Sequence, residues 1–181
     1  MCIRDRLTLL ENGMPQALAA GEFVVYFQPK VRVDTRTLVG AEALIRWKRD
    51  GKIISPADFI PIAERTGFIM KLDMFVLEHT CAMIKQWQES GKRTVPVSVN
   101  FSKIHLRFPH LAEKIMNVIN RYGIEPHYLE VEFTETAYTD DFNAIKQAII
   151  DLKSYGLMVS MDDFGTGYSS LALLKDLDFD I

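Results

Sequence analysis

The sequence contains only two cysteines, Cys2 and Cys81, in 181 residues. Two thiols so far apart do not make a disulfide framework, which excludes the small secreted folds that disulfides hold together. No apolar run approaches the roughly 18 residues of a membrane span, and the N-terminus lacks the apolar region of a signal peptide. We therefore expect a cytoplasmic chain, or the cytoplasmic part of a larger protein whose membrane anchor, if it has one, lies outside this segment.

An excess of either charge is also missing. The chain has 21 Lys and Arg against 24 Asp and Glu, which gives a formal net charge of −3. It lacks the basic footprint of a general nucleic-acid binder, so we expect no nucleic-acid polymer as a partner, although a small nucleotide held by a few local groups stays open. A content of 48% hydrophobic and 25% charged residues is ordinary for a globular protein. The length allows one domain, or a large piece of one.

The N-terminal residues differ from the rest of the chain. Residues 1–6 fit no pattern that continues, and we leave them out of the fold argument as a candidate non-native junction. Residues 7–20 predict a short helix that is interrupted near Gly13 and Pro15. We interpret residues 1–17 as an N-terminal segment or linker and residues 18–181 as the main domain.

Strands and helices then alternate along the chain. Apolar residues 23–33 and 38–47, joined by four polar residues, predict an antiparallel hairpin. Ser55 to Asp58 predicts a capping box at the start of the first helix of the alternation. Further strands are predicted at 95–101, 128–133 and 157–161, with helices between them that end near Gly91, Gly123 and Gly156. A short helix at 169–174 and a strand that begins at 179 follow.

This alternation is typical of an α/β fold with a parallel sheet, either an open doubly wound sheet or a closed barrel. No glycine-rich G-x-G-x-x-G turn follows a strand, so the dinucleotide-binding fingerprint is missing. Polar and acidic residues instead follow the carboxyl ends of several strands, where barrel enzymes build their sites. The chain falls short of the roughly 250 residues of a full barrel. We therefore predict a TIM-like (β/α) barrel with an antiparallel first strand, incomplete in this chain.

The strand-end acids share a face. Because side chains alternate along a strand, each of four strands presents one oxygen ligand to the same side, namely Glu42, Asn100, Glu132 and Asp162. Carboxylates gathered in a barrel mouth repel one another unless they bind protons or cations. Three carboxylates and an amide oxygen suit Mg²⁺ or Mn²⁺, and Asp163 offers a ligand for a second ion. Spacing alone predicts a metal-dependent hydrolase or lyase. The four histidines match no metal-ligand spacing, and we expect them to be surface or satisfied polar side chains.

Several strings carry a more specific signal, and they occur in one order along residues 18–181. They are YFQPK at 26–30, EALIRW at 42–47, SPADFIP at 55–61, VNFS at 99–102, EFTE at 132–135 and DDFGTGYSS at 162–170. Together they resemble the signature strings of the EAL domain family, whose members hydrolyse the bacterial second messenger cyclic di-GMP to linear pGpG.

The resemblance implies a role for each matching residue. Glu42, Asn100, Glu132 and Asp162 match the ligands of a first metal ion, and Asp163 matches the ligand of a second. Arg46 matches an arginine that contacts a substrate phosphate, Gln28 lies where the first strand reaches the nucleotide, and Glu135 matches a glutamate that anchors the loop at 164–170. The catalytic set implied in this way is Glu42, Asp162, Asp163 and Glu135. The implied mechanism is two-metal hydrolysis of a phosphodiester with Mg²⁺ or Mn²⁺.

The resemblance also implies partners and leaves alternatives open. It implies cyclic di-GMP as the ligand, a homodimer formed through the EAL domain, and a nucleotide-cyclase or sensory domain before it in the parent protein. The family's later motifs lie beyond Ile181, so we expect the intact parent to be active and residues 1–181 alone to be nearly inactive. One alternative is an EAL-type module that binds cyclic di-GMP or a protein partner without turnover. Another is an unrelated metal-dependent barrel enzyme, which would share the acids but not the strings.

Overall fold

The architecture is taken from a computed structural model that describes residues 3–134 and 142–162. Five α-helices are described: α1 (Ile3–Ala19), α2 (Pro56–Thr66), α3 (Ile69–Glu89), α4 (Leu111–Tyr122) and α5 (Phe142–Ser154). Six strands are described: β1 (Phe23–Val31), β2 (Leu38–Arg49), β3 (Lys52–Ile54), β4 (Val97–Asn100), β5 (Leu129–Thr134) and β6 (Met158–Asp162). Two 3₁₀ turns, Lys103–Arg107 and Pro126–Tyr128, lie before α4 and β5. The predicted helix at 169–174 and the predicted strand at 179 lie outside the described residues.

The strands form one mostly parallel sheet in the order β1-β2-β4-β5-β6, with β3 attached to β2. β1 and β2 pair antiparallel, whereas β2, β4, β5 and β6 pair in parallel. Because parallel strands need a crossover, a helix separates each consecutive pair from β4 onward. Within the described residues the sheet does not close on itself. The α/β class, the antiparallel first strand and the incomplete barrel are thereby confirmed.

The two faces of the sheet differ in polarity. The face packed against α3, α4 and α5 carries buried apolar side chains, among them Val97, Val99, Leu129, Val131, Phe133 and Val159. Helix residues Leu77, Ile84, Ile115, Ile119, Ile145 and Ile149 complete this core. Each fully buried aliphatic side chain contributes about 1.5–3 kcal/mol, so this layer is the main support of the sheet. The polar residues of the same strands are therefore turned toward the opposite, inner face.

A second cluster packs α1 and α2 against the start of the sheet. Trp47 is fully buried, and its ring lies 5.8 Å from the ring of Phe59 at an interplanar angle of 85°. Met14 and Ala17 of α1 are buried in the same cluster. The predicted interruption of α1 is wrong, because the helix continues through Gly13 and Pro15. Burial of one face of α1 outweighs the local preference of these two residues.

One local prediction also needs correction. Ser55 is the N-cap of α2 in an extended conformation, but its side chain makes no capping hydrogen bond, so the predicted capping box is absent. The N–H of Asp58 donates instead to the Ser55 carbonyl at 2.9 Å. Residues 48–52 form the largely exposed end of a hairpin between β2 and β3. Asp50 and Gly51 both have positive φ, 51° and 73°, as a two-residue type I′ turn requires.

Helix ends follow the predicted pattern more closely. Gly123 has a φ of 63° and ends α4, and Gly156 has a φ of 82° after α5. This left-handed conformation strains residues that have a Cβ atom, which explains glycine at both positions. Among the described residues, no helix is long and apolar enough to cross a membrane.

Candidate functional site

A cavity of about 280 Å³ opens at the carboxyl ends of β2, β4, β5 and β6, where α2 and α3 close its side. Its polar lining includes Arg46, Glu64, Asp73, Asn100, Ser102 and Asp162. Three of the residues singled out from the sequence, Arg46, Asn100 and Asp162, therefore meet at one site. The carboxyl ends of parallel strands are the edge where α/β proteins bind ligands.

The strand register arranges the four proposed ligands as a rising series on the inner face. Glu42 pairs with Ser98, which lies two residues before Asn100. Asn100 pairs with Glu132. Asp162 pairs with the residue two positions after Glu132. Since residues two apart on a strand share a face, all four side chains point to the same side, at three successive levels. The predicted common face is therefore correct. The staggered levels of the four side chains, in contrast, do not follow from the alternation of side chains along each strand.

Glu42 and Asn100 are in direct contact. The Asn100 amide Nδ2 donates to Glu42 Oε1 at 2.9 Å. Burial raises the pKa of Glu42 above its usual range, the Asn100 hydrogen bond opposes this effect, and the charges of Glu132 and Asp162 add to it. The neighbouring charges of Glu132 and Asp162 thus add to the effect of burial in disfavouring the ionised form of Glu42.

Glu132 contacts a residue that the sequence analysis did not select. Lys30 of β1 donates from Nζ to Glu132 Oε1 at 2.8 Å and lies 3.8 Å from Glu130 Oε1. Burial alone would lower the pKa of Lys30, but the hydrogen bond to Glu132 and the charges of Glu132, Glu130 and Glu42 raise it above its ordinary value. The signal was present in the sequence, because Lys30 follows Gln28 by two residues and so shares its strand face.

The two residues predicted to bind substrate lie near the acids. Gln28 is exposed and stands directly opposite Glu42 in the β1–β2 register. Arg46 lines the cavity, and its Nη1 donates to the Ile45 carbonyl at 2.9 Å. An arginine at the mouth of the cavity supplies a planar set of donors suited to a phosphate.

A buried contact between a carboxylate and a histidine supports the loop after Asn100. Asp73 of α3 accepts a hydrogen bond from the N–H of Ser102 at 3.0 Å, and the same Oδ2 atom lies 3.0 Å from His105 Nε2. The side chains of Asp73 and His105 are 10% and 3% exposed. Burial raises the pKa of Asp73, whereas the contacts with His105 and with the Ser102 N–H act against the rise. The expectation of a satisfied histidine is confirmed for His105, but its carboxylate partner was missed because Asp73 follows Leu72 on an apolar helix face.

Three of the predicted features lie outside the described residues. They are Asp163, Glu135 and the glycine-containing loop at 164–170. Their predicted roles stay predictions.

The donors fit a hard divalent ion in kind but do not converge as a complete set. Within residues 3–134 and 142–162, no three acidic, histidine or cysteine side chains are grouped as metal ligands. Carboxylate and amide oxygens are nevertheless the ligands that Mg²⁺ and Mn²⁺ prefer. The contacts of Glu42 with Asn100 and of Glu132 with Lys30 both use Oε1. The second oxygen of each carboxylate is therefore the atom that a cation would take.

Comparison with known proteins points to one family. Residues 11–181 match the sequence model of the EAL domain. The chain is 35% identical over 175 residues to the bifunctional diguanylate cyclase/cyclic di-GMP phosphodiesterase MucR of Pseudomonas aeruginosa. The aligned region covers 96% of this chain and 25% of MucR. It is 33% identical over 178 residues to the cyclic di-GMP phosphodiesterase PA2567 of the same species, covering 96% of this chain and 30% of PA2567. The chain thus spans about a quarter to a third of these two relatives.

Solved structures agree with this assignment. The PaMucR phosphodiesterase in its c-di-GMP complex superposes with a TM-score of 0.88 at 34% identity, over 94% of this chain and 69% of that one. The EAL enzyme Bd1971 in its cGMP-bound form superposes with a TM-score of 0.87 at 26% identity, over 97% of this chain and 49% of that one.

Proposed function

The chain belongs to the EAL domain family, and from this premise we propose that its parent protein hydrolyses cyclic di-GMP to linear pGpG with divalent metal ions. The observation that supports the proposal most directly is the contact between Glu42 and Asn100 on the same inner face as Glu132 and Asp162. A set of hard oxygen donors at the mouth of a parallel sheet, with an arginine in the adjoining cavity, suits a negatively charged phosphodiester.

Glu42, Asn100, Glu132 and Asp162 would hold a first Mg²⁺ or Mn²⁺ ion, and Asp163 would contribute to a second. When bound, such ions polarise the phosphoryl group and lower the pKa of water. Burial is the main cause of the raised pKa of Glu42, and a bound cation would offset the further contribution from the charges of Glu132 and Asp162. The cation that the reaction requires would thus also favour the ionised form of Glu42.

The rest of the reaction depends on positioning by the chain's own residues. Arg46 would bind a phosphate oxygen through its guanidinium and stabilise the charge that develops there. Gln28, exposed opposite Glu42, would contact the nucleotide from β1. A water molecule adds to phosphorus in line with the 3′ oxygen, the P–O3′ bond breaks, and the leaving oxygen takes a proton. One of the two ester linkages is thereby opened, which gives the linear dinucleotide with a 5′ phosphate.

The family membership also supports a proposal about assembly. MucR is named as a bifunctional protein with a diguanylate cyclase, and it is about four times the length of the matched region. We propose that the parent protein likewise carries a nucleotide-cyclase or sensory domain before the EAL domain, and that two EAL domains form a homodimer. Analytical ultracentrifugation of the parent protein tests the dimer, and a single monomeric species would contradict it.

The test of the proposed activity is incubation of the full-length protein with cyclic di-GMP and either Mg²⁺ or Mn²⁺, with EDTA as the metal-free arm. We expect pGpG in the metal arms alone. Glu42→Gln keeps the size of the side chain but removes the ligand charge, so it should lower metal affinity and nearly abolish turnover. Glu113→Gln is the matched control, because Glu113 is exposed on α4 and pairs with His110.

Two results would contradict the proposal in different ways. Near-normal turnover by the Glu42→Gln variant would show that Glu42 is not a required metal ligand, but it would not contradict the proposed activity. Tight binding of cyclic di-GMP by the unaltered protein, with no pGpG under any metal condition, would identify a binding module without turnover.

A further inference from the structure

Lys30 reaches the acidic site from β1, which lies at one end of the strand order. It lies on β1, directly opposite Gly40 of β2, two residues after Gln28 on the same inner face. Its Nζ atom is nevertheless 2.8 Å from Glu132 of β5. β1 and β5 are separated by β2 and β4 in the sheet order. In a flat sheet three interstrand spacings amount to roughly 14 Å, so the contact requires the sheet to curl around its inner face.

The backbone opposite Lys30 leaves room for its side chain. A Cβ atom at Gly40 would lie 3.7 Å from Lys30 Cδ, 3.8 Å from Lys30 Cβ and 3.2 Å from the carbonyl oxygen of Pro96. The last distance is tighter than ordinary van der Waals contact. The stem of Lys30 therefore lies beside the β2 backbone at ordinary contact distance, and it is the Pro96 carbonyl that comes closest to position 40.

One oxygen of the second acid near Lys30 has no hydrogen bond within the described part of the chain. Glu130 is 5% exposed, and its Oε1 atom has no hydrogen-bond partner among the described residues. The same atom lies 3.8 Å from Lys30 Nζ, beyond hydrogen-bond distance but within range of a strong charge interaction. A buried carboxylate without compensation is unfavourable by several kcal/mol, on the order of the whole stability margin of a domain. The ammonium of Lys30 is therefore shared between Glu130 and Glu132.

We propose that Lys30 is a positioning residue for the metal site: it binds Glu132 through Oε1, is drawn into place by Glu130, and so directs the other oxygen of Glu132 toward the divalent ion. The proposal rests on the proposed function, because it assigns the ion to the same four donors. Residues that orient a metal ligand commonly change metal affinity by about 10–100-fold when they are replaced.

The test compares Mn²⁺ binding by the full-length protein and by its Lys30→Met and Lys30→Arg variants, measured by isothermal titration calorimetry. Thermal unfolding in EDTA checks that each variant is folded. We expect Lys30→Met to weaken Mn²⁺ binding by about tenfold or more, since its side chain keeps the length of the stem without the charge. Lys30→Arg keeps the charge and should recover most of the loss.

The matched control is Lys85→Met, which removes the same charge from the Lys85–Glu89 pair on the outside of α3. It should bind Mn²⁺ as the unaltered protein does. If Lys30→Met does not fold, Lys30→Gln replaces it in the test. This variant keeps a hydrogen-bond donor without the charge, and the same weakening of Mn²⁺ binding is expected.

The outcomes separate this inference from the proposed function. Mn²⁺ affinity that is unchanged in a folded Lys30→Met variant, even one of lower thermal stability, would show that Lys30 is merely structural and overturn the inference. A higher affinity would overturn it as well, because Lys30 would then be a competitor of the metal. Failure of the unaltered protein to bind Mn²⁺ would overturn the metal-dependent function itself and the inference with it.

Discussion

Replacement of Asp73 by alanine tests the support of the loop that follows Asn100. The Asp73 carboxylate accepts hydrogen bonds from the Ser102 N–H and the His105 ring, both through Oδ2 at 3.0 Å. Alanine would leave both donors unpaired, at about 1–3 kcal/mol for each buried donor. The two unpaired donors together therefore cost about 2–6 kcal/mol. We expect Asp73→Ala to lower the free energy of unfolding by about 3–5 kcal/mol, the middle of this range.

The assay is urea unfolding followed by circular dichroism, in buffer with EDTA so that metal binding does not contribute. For a chain of this size the loss corresponds to a fall in Tm of roughly 6–20 °C, at about 2–4 °C per kcal/mol. Asp73→Asn keeps the size and one oxygen acceptor and should lose clearly less. Asp151→Ala, at an exposed position of α5, is the control and should change stability by no more than about 0.5 kcal/mol.

A loss below about 1 kcal/mol in Asp73→Ala would contradict the proposed role of Asp73, because two buried donors cannot then depend on this carboxylate. Equal losses in the alanine and asparagine variants would refute it too, since the acceptor oxygen would then contribute nothing.

Two further predictions concern a buried thiol and a proposed anchor. Burial raises the pKa of Cys81 from 9.0 to about 12, so about one thiol in 10⁴ is ionised at pH 8. In a Cys2→Ser variant, a disulfide reagent should therefore modify Cys81 in urea but not in the folded protein. Because the pKa of the Cys81 thiol is higher in the folded protein than in the unfolded chain, burial of this thiol contributes stability that is present below pH 9.0 and is lost as the pH rises toward about 12. Rapid labelling of Cys81 in the folded chain would contradict its burial. Glu135→Ala should reduce turnover more than stability if Glu135 holds the loop at 164–170, and a loss of activity that merely follows the loss of folded protein would remove the anchor role.

The face of the sheet that each strand side chain points to could be predicted from the sequence, because it depends on local geometry alone. Successive side chains of a strand alternate between faces, so the shared face of Glu42, Asn100, Glu132 and Asp162 needed no knowledge of the strand order. The same holds for Gly123, where the end of an apolar helix pattern meets a residue that tolerates positive φ.

Local patterns failed where packing overrode them. Pro15 predicts a break in α1, yet the helix continues because Met14 and Ala17 are buried against the second core cluster. Ser55 has the sequence context of a capping box, but the donors it would satisfy are met by a backbone carbonyl instead.

The order of strands and helices, the polar inner face and the family could all be predicted from the sequence, because each depends on residues that are close together in the chain or on strings that occur in a fixed order. Which polar groups contact one another depends on the folded chain. Lys30 and Glu132 are 102 residues apart in sequence, and Asp73 and His105 are 32 apart. Their contacts depend on the order of the strands, the curl of the sheet and the position of α3 over β4, which hydrophobic periodicity does not encode. The side chains that hold the site in place are therefore visible only once the chain is folded.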